Sequence, residues 1–257
     1  MRPGAHSGQT GGCFTCSLRL VEPSHRTRSC LNTPDAVDLI AGAIPQLGGT
    51  WADLGAGAGT FTRALAELVG PTHRIYAVDR DAKAVAALTR WAATKTANVI
   101  PVLADFTGRF ELPELGEAEL DGMLFANALH FARDADVVLA RLAAWLRPDG
   151  RVVVVEYDRR VANPWVPYPI PLARLPVLAA AAGLSTPVIT ATRPSAFGGN
   201  LYVAAAHRLA DGERRHGRDP HDLTKIVGED RNRQRREHLA CSRLRRVGSP
   251  SRHAPVV

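Results

Sequence analysis

Between residues 31 and 208, short apolar runs alternate with longer segments in which apolar residues recur at helical spacing. Short apolar runs bounded by turn residues predict buried strands, and the helical spacing predicts helices that bury one face. The predicted strands are 50–54, 74–78, 98–103, 120–125, 151–155, 188–192 and 201–207. The predicted helices are 33–47, 61–68, 82–93, 134–147 and 172–182.

The order of these elements predicts the fold class. Strands that alternate with helices and are apolar throughout, like the valine-rich 151–155, are typical of a parallel sheet covered on both faces. Right-handed crossovers then give a doubly wound α/β domain. The connection 193–200 is too short for a crossover helix, so the last two strands must be antiparallel. We therefore predict a mostly parallel seven-stranded sheet with an antiparallel C-terminal strand and helices on both faces.

Polar residues mark the start of two helices and of one strand. Thr33 precedes Pro34 and Asp35, which is the pattern of a hydroxyl N-cap followed by proline and an acid in the first turn. Asp81 is the predicted N-cap of the helix that follows it. The segment 148–150, Pro-Asp-Gly, predicts a turn into the fifth strand.

The two ends of the chain differ from the middle in composition. Residues 1–30 and 209–257 are polar and carry few aliphatic side chains, so neither can bury enough apolar surface to offset the entropy of ordering. We predict a flexible leader at 1–30, one domain at 31–208, and a basic, disordered tail at 209–257. The net charge of +7 resides in these ends, and the middle is nearly neutral. A nucleic-acid groove across the folded domain therefore has no charge support, whereas a basic arm for an anionic partner stays open.

All four cysteines lie outside the predicted domain. Cys13 and Cys16 have the spacing of half a zinc site or of a redox pair. No second pair completes a zinc site, and the surrounding stretch is turn-rich rather than the start of a helix. We interpret these residues as reduced thiols and expect no bound metal. No apolar run is long enough to cross a bilayer and the N-terminus lacks a secretory pattern, so we expect a cytoplasmic protein without a membrane partner.

A glycine-rich segment follows the first strand. Asp53 stands two residues before Gly55, and Gly57 and Gly59 follow at alternate positions. Glycines are needed where the chain turns tightly and where a Cβ would keep the backbone from a nucleotide-like ligand. The next helix begins near Thr60, and its free N–H groups face such a ligand. The segment therefore predicts a ligand-binding loop, and a plain turn is the alternative.

Two further acids follow the next strands. Asp79 ends the second strand, where a carboxylate can accept hydrogen bonds from the hydroxyls of a ribose. The alternative is that Asp79 caps the following helix. Asp105 follows the third strand beside Phe106. A carboxylate and an aromatic ring suit an adenine, because one accepts from the exocyclic amine and the other packs on the base. The alternative for Asp105 is an ordinary loop acid.

With these motifs the chain resembles the class I S-adenosylmethionine-dependent methyltransferases over about 33–207. The segment 53–59 is similar to the family's first motif, and Asp79, Asp105 and 125–127 are similar to its second, third and fourth. The resemblance implies that Asp53 and the glycine loop hold the amino-acid part of S-adenosylmethionine, with the ribose on Asp79 and the adenine on Asp105. The implied cofactor-binding set is Asp53, Gly55, Ala56, Gly57, Gly59, Asp79, Arg80, Asp105, Phe106 and Asn127.

Two other functions remain as alternatives. A nicotinamide-dependent oxidoreductase would carry Gly-x-Gly-x-x-Gly, which requires a glycine where Thr60 stands, and its fold does not need the final hairpin. A domain that binds the cofactor without turnover, as a sensor or partner, has the same loop and acids. Binding alone does not distinguish this domain from an enzyme.

Candidate residues for the methyl acceptor follow the fourth and fifth strands. His130 is a candidate general base near neutral pH, and the alternative is a histidine that packs or bonds to backbone. Glu156 is a second candidate base, and Tyr157 follows it. The proline-rich segment 161–171 carries Trp165 and Tyr168, which predict a roof over an apolar pocket or, alternatively, a rigid connector.

The residues directly after the fourth strand narrow the nature of the acceptor. Nucleic-acid amino methyltransferases of this family often carry an Asn/Asp-Pro-Pro-Tyr-like motif there, and 126–129 reads Ala-Asn-Ala-Leu. With a short roof and no added recognition domain, a small-molecule acceptor is expected. The methylated atom and the oligomeric state are left open by the sequence.

Overall fold

The computed structural model describes residues 31–44, 48–94, 98–116, 119–159, 161–195 and 198–210. The predicted leader, Cys13, Cys16 and all but the first two residues of the predicted tail lie outside the described residues. The division of the chain at 30/31 and 208/209 therefore stays a prediction.

Seven strands form one sheet. They are β1 Gly49–Leu54, β2 His73–Asp79, β3 Val99–Leu103, β4 Leu120–Ala126, β5 Leu146–Asp158, β6 Val188–Pro194 and β7 Asn200–His207. Their order is β3-β2-β1-β4-β5-β7-β6. Strands β1 to β5 pair in parallel, and β7 lies antiparallel between β5 and β6. The predicted doubly wound sheet with an antiparallel C-terminal strand is confirmed.

Five α-helices accompany the sheet in the described residues: α1 Thr33–Ile40, α2 Thr60–Val69, α3 Ala82–Ala92, α4 Ala135–Ala143 and α5 Leu175–Ala181. Short 3-10 turns lie at Ala41–Ala43 and Leu129–Phe131. Asp81 caps α3 as predicted, since its side chain accepts from the Lys83 N–H. The predicted cap Thr33 is wrong by one residue: Asn32 is the N-cap of α1 and accepts from the Asp35 N–H at 2.8 Å.

Two helices end earlier than the periodicity predicts. Helix α1 ends at Ile40 rather than near 47, because the chain tightens into the 3-10 turn. Helix α4 ends at Ala143, since Leu146 already pairs with Leu120 and begins β5. The predicted Pro-Asp-Gly turn is a bulge inside β5, between the Leu120–Leu146 pair and the pair of Gly122 with Arg151.

Buried residues cover both faces of the sheet. Successive residues of β1 point to opposite faces, so Trp51 packs in one cluster with side chains of α1, α2 and α3. Ala52 packs in the other cluster, with side chains of α4 and α5. Covered faces explain why the parallel strands are apolar throughout. The carboxyl ends of β1 to β5 consequently meet at one edge of the sheet, where the polar residues that follow these strands are gathered. No helix in the described ranges is both long and apolar enough to span a membrane.

Candidate cofactor site

A cavity of about 400 Å³ opens at this edge of the sheet. Its wall combines the glycine loop, the ends of β2 and β3, and the segment that follows β4. The lining residues are Leu31, Gly55, Ala56, Gly57, Ala58, Thr60, Phe61, Asp79, Arg80, Ala104, Asp105, Phe106, Thr107, Ala126, Asn127, Ala128 and Phe131. The predicted cofactor-binding residues are thus brought together, except that Asp53 and Gly59 do not line the cavity.

Each of the three loop glycines has a positive φ, but their surroundings differ. A Cβ at Gly55 would lie 2.5 Å from the Ala128 Cβ, and one at Gly59 would lie 2.3 Å from Leu88 Cδ2. A Cβ at Gly57 would meet nothing within 4 Å in the described structure. Packing therefore requires glycine at the first and third positions, whereas Gly57 leaves open space at the cavity wall.

The carboxylate of Asp79 is held against the glycine loop. Its Oδ2 accepts a hydrogen bond from the Gly57 N–H at 2.7 Å, and its Oδ1 accepts from the Asp81 N–H at 2.8 Å. Since a carboxylate has about four acceptor positions, both oxygens retain capacity for ligand hydroxyls. Asp79 and the loop therefore form one preorganised wall.

Asp105 is stabilised in its ionised form. Burial alone would raise its pKa, but hydrogen bonds from Thr107 and the nearby Arg80 outweigh burial and lower the pKa below its usual value. Thr107 donates from both its N–H and its hydroxyl to Oδ1, at 2.9 and 2.7 Å. The neighbouring Phe106 is buried and meets the Phe125 ring edge-on at 5.9 Å between centroids. The acid and the ring line the cavity side by side, as predicted.

Arg80 and Phe131 meet across the cavity. The Arg80 guanidinium lies 5.9 Å from the centre of the Phe131 ring, within the range of a cation–π contact. Arg80 also approaches Asp105 Oδ2 at 3.9 Å. Because Arg80 follows β2 and Phe131 follows β4, this contact bridges the two sides of the loop that ends β1.

Asn127 occupies an unusual backbone position at the end of β4. Its φ is 53°, in the left-handed region where asparagine is among the few residues tolerated. Its N–H donates to the Val155 carbonyl at 2.8 Å, which fixes the turn to β5. Its Oδ1 is buried and has no hydrogen-bond partner among the described residues. A buried acceptor without a donor beside a cavity marks a place for a ligand N–H or O–H.

Asp53 lies beneath the glycine loop and is completely buried. Its Oδ2 accepts from the Thr62 hydroxyl at 2.6 Å, while Oδ1 has no partner in the described structure. Burial raises the pKa of Asp53 to about 7, with a smaller contribution in the same direction from the charge of Asp79, and the Thr62 bond opposes both. A carboxyl group that titrates near neutral pH therefore lies under the loop.

The two predicted catalytic residues form a buried pair. His130 Nδ1 lies 2.6 Å from Glu156 Oε2, and the His130 N–H donates to Glu156 Oε1 at 3.1 Å. His130 is 2% exposed and Glu156 is 0% exposed, and neither lines the cavity. Glu156 is therefore engaged by His130 through both oxygens. A catalytic role for either residue stays a prediction.

The predicted acceptor-pocket residues do not line this cavity. Tyr157 is half-buried, with its ring centre 6.3 Å from that of His130. Trp165 is 80% exposed, on a tight turn whose Asn163 Oδ1 accepts from two backbone N–H groups. The Tyr168 N–H donates to the His130 carbonyl at 3.0 Å, which joins this segment to the turn after β4. The predicted role of these three side chains in the acceptor pocket stays a prediction.

Sequence reasoning missed several residues that line the cavity or support it from below. Phe131 stands directly after His130 in the run Asn-Ala-Leu-His-Phe, which follows the predicted fourth strand. That position after a strand was the available signal for a residue of the site. Thr62, in the first turn of α2, donates its hydroxyl to one of the two carboxylate oxygens of Asp53. Leu31 and Phe61 line the cavity without any local signal beyond being apolar.

Comparisons with known proteins identify the fold. Residues 52–150, from β1 into β5, match the family model of a methyltransferase domain. An S-adenosylmethionine-dependent methyltransferase from Aquifex aeolicus aligns with a TM-score of 0.54 at 19% identity, over 70% of this chain and 91% of that one. The chain has a class I S-adenosylmethionine-dependent methyltransferase fold. The family match and the shared fold confirm the predicted recognition and the predicted cofactor, S-adenosylmethionine.

Two further solved structures share the methyltransferase fold. One is the 1,6-didemethyltoxoflavin-N1-methyltransferase of Burkholderia thailandensis, with a TM-score of 0.51 and 26% identity over 69% of this chain and 77% of that one. The other is the CcbJ methyltransferase of Streptomyces caelestis, with a TM-score of 0.52 and 16% identity over 70% and 91%. No curated protein matches the sequence. These findings support methyl transfer as the chemistry of the domain and leave the acceptor undetermined.

Proposed function

We propose that this chain transfers the methyl group of S-adenosylmethionine to a small-molecule acceptor, with the cofactor held in the cavity at the carboxyl edge of the sheet. The observation that carries the proposal is the convergence of the glycine loop, Asp79, Asp105 and Asn127 on one cavity. Its volume of about 400 Å³ lies in the usual range for small-molecule sites.

The residues present fit the cofactor. Gly57 leaves open space where a side chain would otherwise project, and the buried Oδ1 of Asn127 lacks a donor among the described residues. An ammonium group such as that of the methionyl part is a donor of the required kind. Asp79 would hold the ribose hydroxyls through the acceptor positions that the two backbone N–H groups leave free. Asp105 and Phe106 would hold the adenine by its amine and its face.

The chemistry asks little of the protein beyond alignment and exclusion of water. When bound, the cofactor supplies a methyl group on a positively charged sulfur, a good leaving group for in-line displacement by the acceptor. Phe61, Phe106 and Phe131 form apolar parts of the cavity wall, which would limit the water around the reacting groups once the ligands are bound. The loop and Asn127 hold the donor, so that an acceptor entering beside it is aligned for attack. A base is needed only for an acceptor that must lose a proton, and His130 with Glu156 remains the predicted pair.

The small-molecule class is supported by one solved structure of the same fold. The described part of the segment between β5 and α5 is a short proline-rich connection. The Burkholderia methyltransferase is named for a small molecule, 1,6-didemethyltoxoflavin, and its structure holds that molecule. Phe131 lines the cavity and is 42% exposed, so it would offer an aromatic surface to a compact acceptor. We expect the cell interior as its place of action.

Calorimetry and a turnover assay test the proposal together. We expect S-adenosylhomocysteine and S-adenosylmethionine to bind the purified chain at micromolar strength, and S-adenosylhomocysteine to accumulate when a panel of heteroaromatic, phenolic and amine acceptors is supplied. Binding without turnover on any acceptor would favour a cofactor-binding sensor. Tight binding of a nicotinamide nucleotide, with no binding of the sulfonium cofactor, would overturn the proposal.

A further inference from the structure

Glu156 directs both of its carboxylate oxygens to one residue on another element. One oxygen accepts from the backbone N–H of His130 and the other lies 2.6 Å from its ring Nδ1. The contact joins the carboxyl end of β5 to the 3-10 turn Leu129–Phe131 after β4. Fixing a main-chain atom and a ring atom of one residue leaves that residue little freedom to rotate or shift.

The turn fixed in this way carries Phe131 into the cavity wall. The Phe131 ring lies 4.5 Å from the His130 ring, and its N–H donates to the Ala128 carbonyl at 3.0 Å. The Tyr168 N–H donates to the His130 carbonyl at 3.0 Å. His130 is thus held at its N–H, its carbonyl and its ring, whereas Phe131 is 42% exposed and its ring contacts that of His130.

Holding a turn does not by itself require a buried carboxyl group. Burying a carboxyl group carries a desolvation penalty, and apolar side chains often stabilise a fold as well or better. A carboxylate does offer two acceptor oxygens at a fixed separation, which can set the position of a backbone N–H and a ring together. That a carboxyl group and not an aliphatic side chain lies here indicates that the position of His130 has to be fixed.

Phe131 also meets the residue that follows the ribose-facing acid. Its ring lies under the Arg80 guanidinium at 5.9 Å, and Arg80 in turn approaches Asp105 at 3.9 Å. A shift of Phe131 would therefore alter the contact that crosses the cavity. From Glu156 to Arg80, each member touches the next through contacts that the structure records.

We propose that Glu156 is a positioning residue for cofactor binding, acting through His130 on Phe131, and is not itself in contact with the cofactor or the acceptor. This inference rests on the proposed function, because it takes the cavity to be the cofactor site. It assigns the buried pair to the shape of the cavity wall on the β4 side.

A double-mutant cycle measured by calorimetry with S-adenosylhomocysteine tests the proposal. The variants are Glu156→Gln, Phe131→Ala and the combination of both. Glutamine keeps the volume of Glu156 but has one acceptor oxygen instead of two, so it cannot accept from the backbone N–H and from a ring Nδ1–H of His130 together. We expect Glu156→Gln to weaken binding roughly fivefold to tenfold, in the range found for residues that modulate a site without touching the ligand. In the Phe131→Ala background the same change should have almost no effect.

Tyr202→Phe is the matched control. Tyr202 is the β7 neighbour of Glu156 in the sheet register, is fully buried, and its hydroxyl donates to the Ile170 carbonyl. Its variant should lower the melting temperature and leave the dissociation constant of the cofactor unchanged. A general structural role for Glu156 would give Glu156→Gln the same behaviour, and the proposal would then be wrong.

The remaining outcomes of the cycle also decide whether Glu156 acts through Phe131. Multiplicative effects of Glu156→Gln and Phe131→Ala would show that Glu156 does not act through Phe131. If Glu156→Gln fails to fold, His130→Asn supplies the same cycle with Phe131→Ala, because it removes the ring that supports Phe131 while leaving Glu156 in place. Failure of the wild-type chain to bind S-adenosylhomocysteine would overturn the proposed function itself, whereas wild-type binding with an additive cycle would overturn this inference alone.

Discussion

Asp79 accepts a hydrogen bond from the backbone N–H of Gly57 at 2.7 Å, so the acid that ends β2 directly holds the loop that follows β1. The two residues are 22 positions apart in sequence and belong to neighbouring parallel strands. The bond orders the loop and orients the carboxylate in one step. A residue predicted to bind ribose therefore also shapes the loop predicted to hold the methionyl part.

Asp79→Asn is predicted to weaken cofactor binding without unfolding the domain. The amide cannot accept on both sides as the carboxylate does, so charge-assisted hydrogen bonds to the ribose and to Gly57 are weakened. The expected loss is about 1–3 kcal/mol, the usual size for hydrogen bonds to charged groups. The dissociation constant of S-adenosylhomocysteine from calorimetry measures it.

Asp81→Asn is the control for this prediction. Asp81 lies two residues away and caps α3 through the Lys83 N–H, but it does not line the cavity. Asparagine is also a good cap, so neither stability nor affinity should change much. Unchanged affinity in Asp79→Asn would mean that Asp79 only orders the backbone around it.

The part of the site that lies directly after strands was predictable from the sequence. In a parallel sheet the carboxyl ends of adjacent strands meet at one edge, so Asp79, Asp105 and Asn127 were expected to converge once the strands were recognised. Arg80 and Phe106 are adjacent to Asp79 and Asp105 in sequence, so they were expected at the same edge. The structure places all five on the cavity.

The rest depended on contacts that no local pattern shows. His130 and Glu156 were separate candidates for a base, and their pairing follows only because β4 and β5 are neighbours in register. The role of Phe131 depends on a 3-10 turn of three residues, which carries too little periodicity to be predicted. Trp165 is aromatic and follows a site strand, yet its turn directs it to solvent.

Alanine at the loop glycines should separate packing from ligand contact. Gly55→Ala would place a Cβ 2.5 Å from the Ala128 Cβ, so we expect a clear loss of stability. Gly57→Ala meets no atom within 4 Å and adds only the strain of a positive φ, about 1–2 kcal/mol. Its Cβ takes up space at the cavity wall, so affinity for the cofactor should fall more than stability does. Thermal melts and calorimetry on both variants measure the two effects.

The comparison of the two glycine variants has a definite contrary result. If Gly57→Ala binds S-adenosylhomocysteine as tightly as the wild type while remaining folded, the ligand does not approach the loop at this residue. The proposed placement of the methionyl part would then be wrong, although the fold would be unaffected.

His73 should make the fold sensitive to acid. It is 3% exposed at the start of β2, and both ring nitrogens are buried without partners in the described residues. Burial lowers its pKa from the usual 6.5, so below that pH the unfolded chain takes up a proton that the folded chain resists. The contribution to stability is therefore present above pH 6.5 and is lost as the pH falls. His73→Phe should reduce this loss, measured as the difference in unfolding free energy between about pH 7.5 and pH 5.

His207→Gln is a suitable control for the acid sensitivity. His207 is exposed, and its ring lies 3.1 Å from the Ser185 hydroxyl. Its variant should follow the wild type over the same pH range. An equal acid response in His73→Phe and the wild type would show that another group is responsible.

Asp53 should change stability with pH in the direction opposite to His73. Because burial raises its pKa from 3.8 to about 7, the folded state binds a proton more tightly than the unfolded state does. Its stabilising contribution is complete below about pH 4, declines as the pH rises, and is lost by about pH 7. Asp53→Asn, which stays neutral, should be more stable than the wild type at neutral pH by a few kcal/mol, and at most by about 4. Chemical denaturation of both forms between about pH 4 and pH 8 measures this difference.

Thr62→Val tests the cause of the Asp53 titration. The Thr62 hydroxyl donates to Asp53 Oδ2 at 2.6 Å and favours the ionised carboxylate, so its removal should move the transition to higher pH. Bound cofactor should move it the other way, because a cation near the loop favours the ionised form and releases the proton. Calorimetry near pH 7 in two buffers of different ionisation enthalpy would detect that proton. A pH-independent difference between Asp53→Asn and the wild type would contradict the assignment.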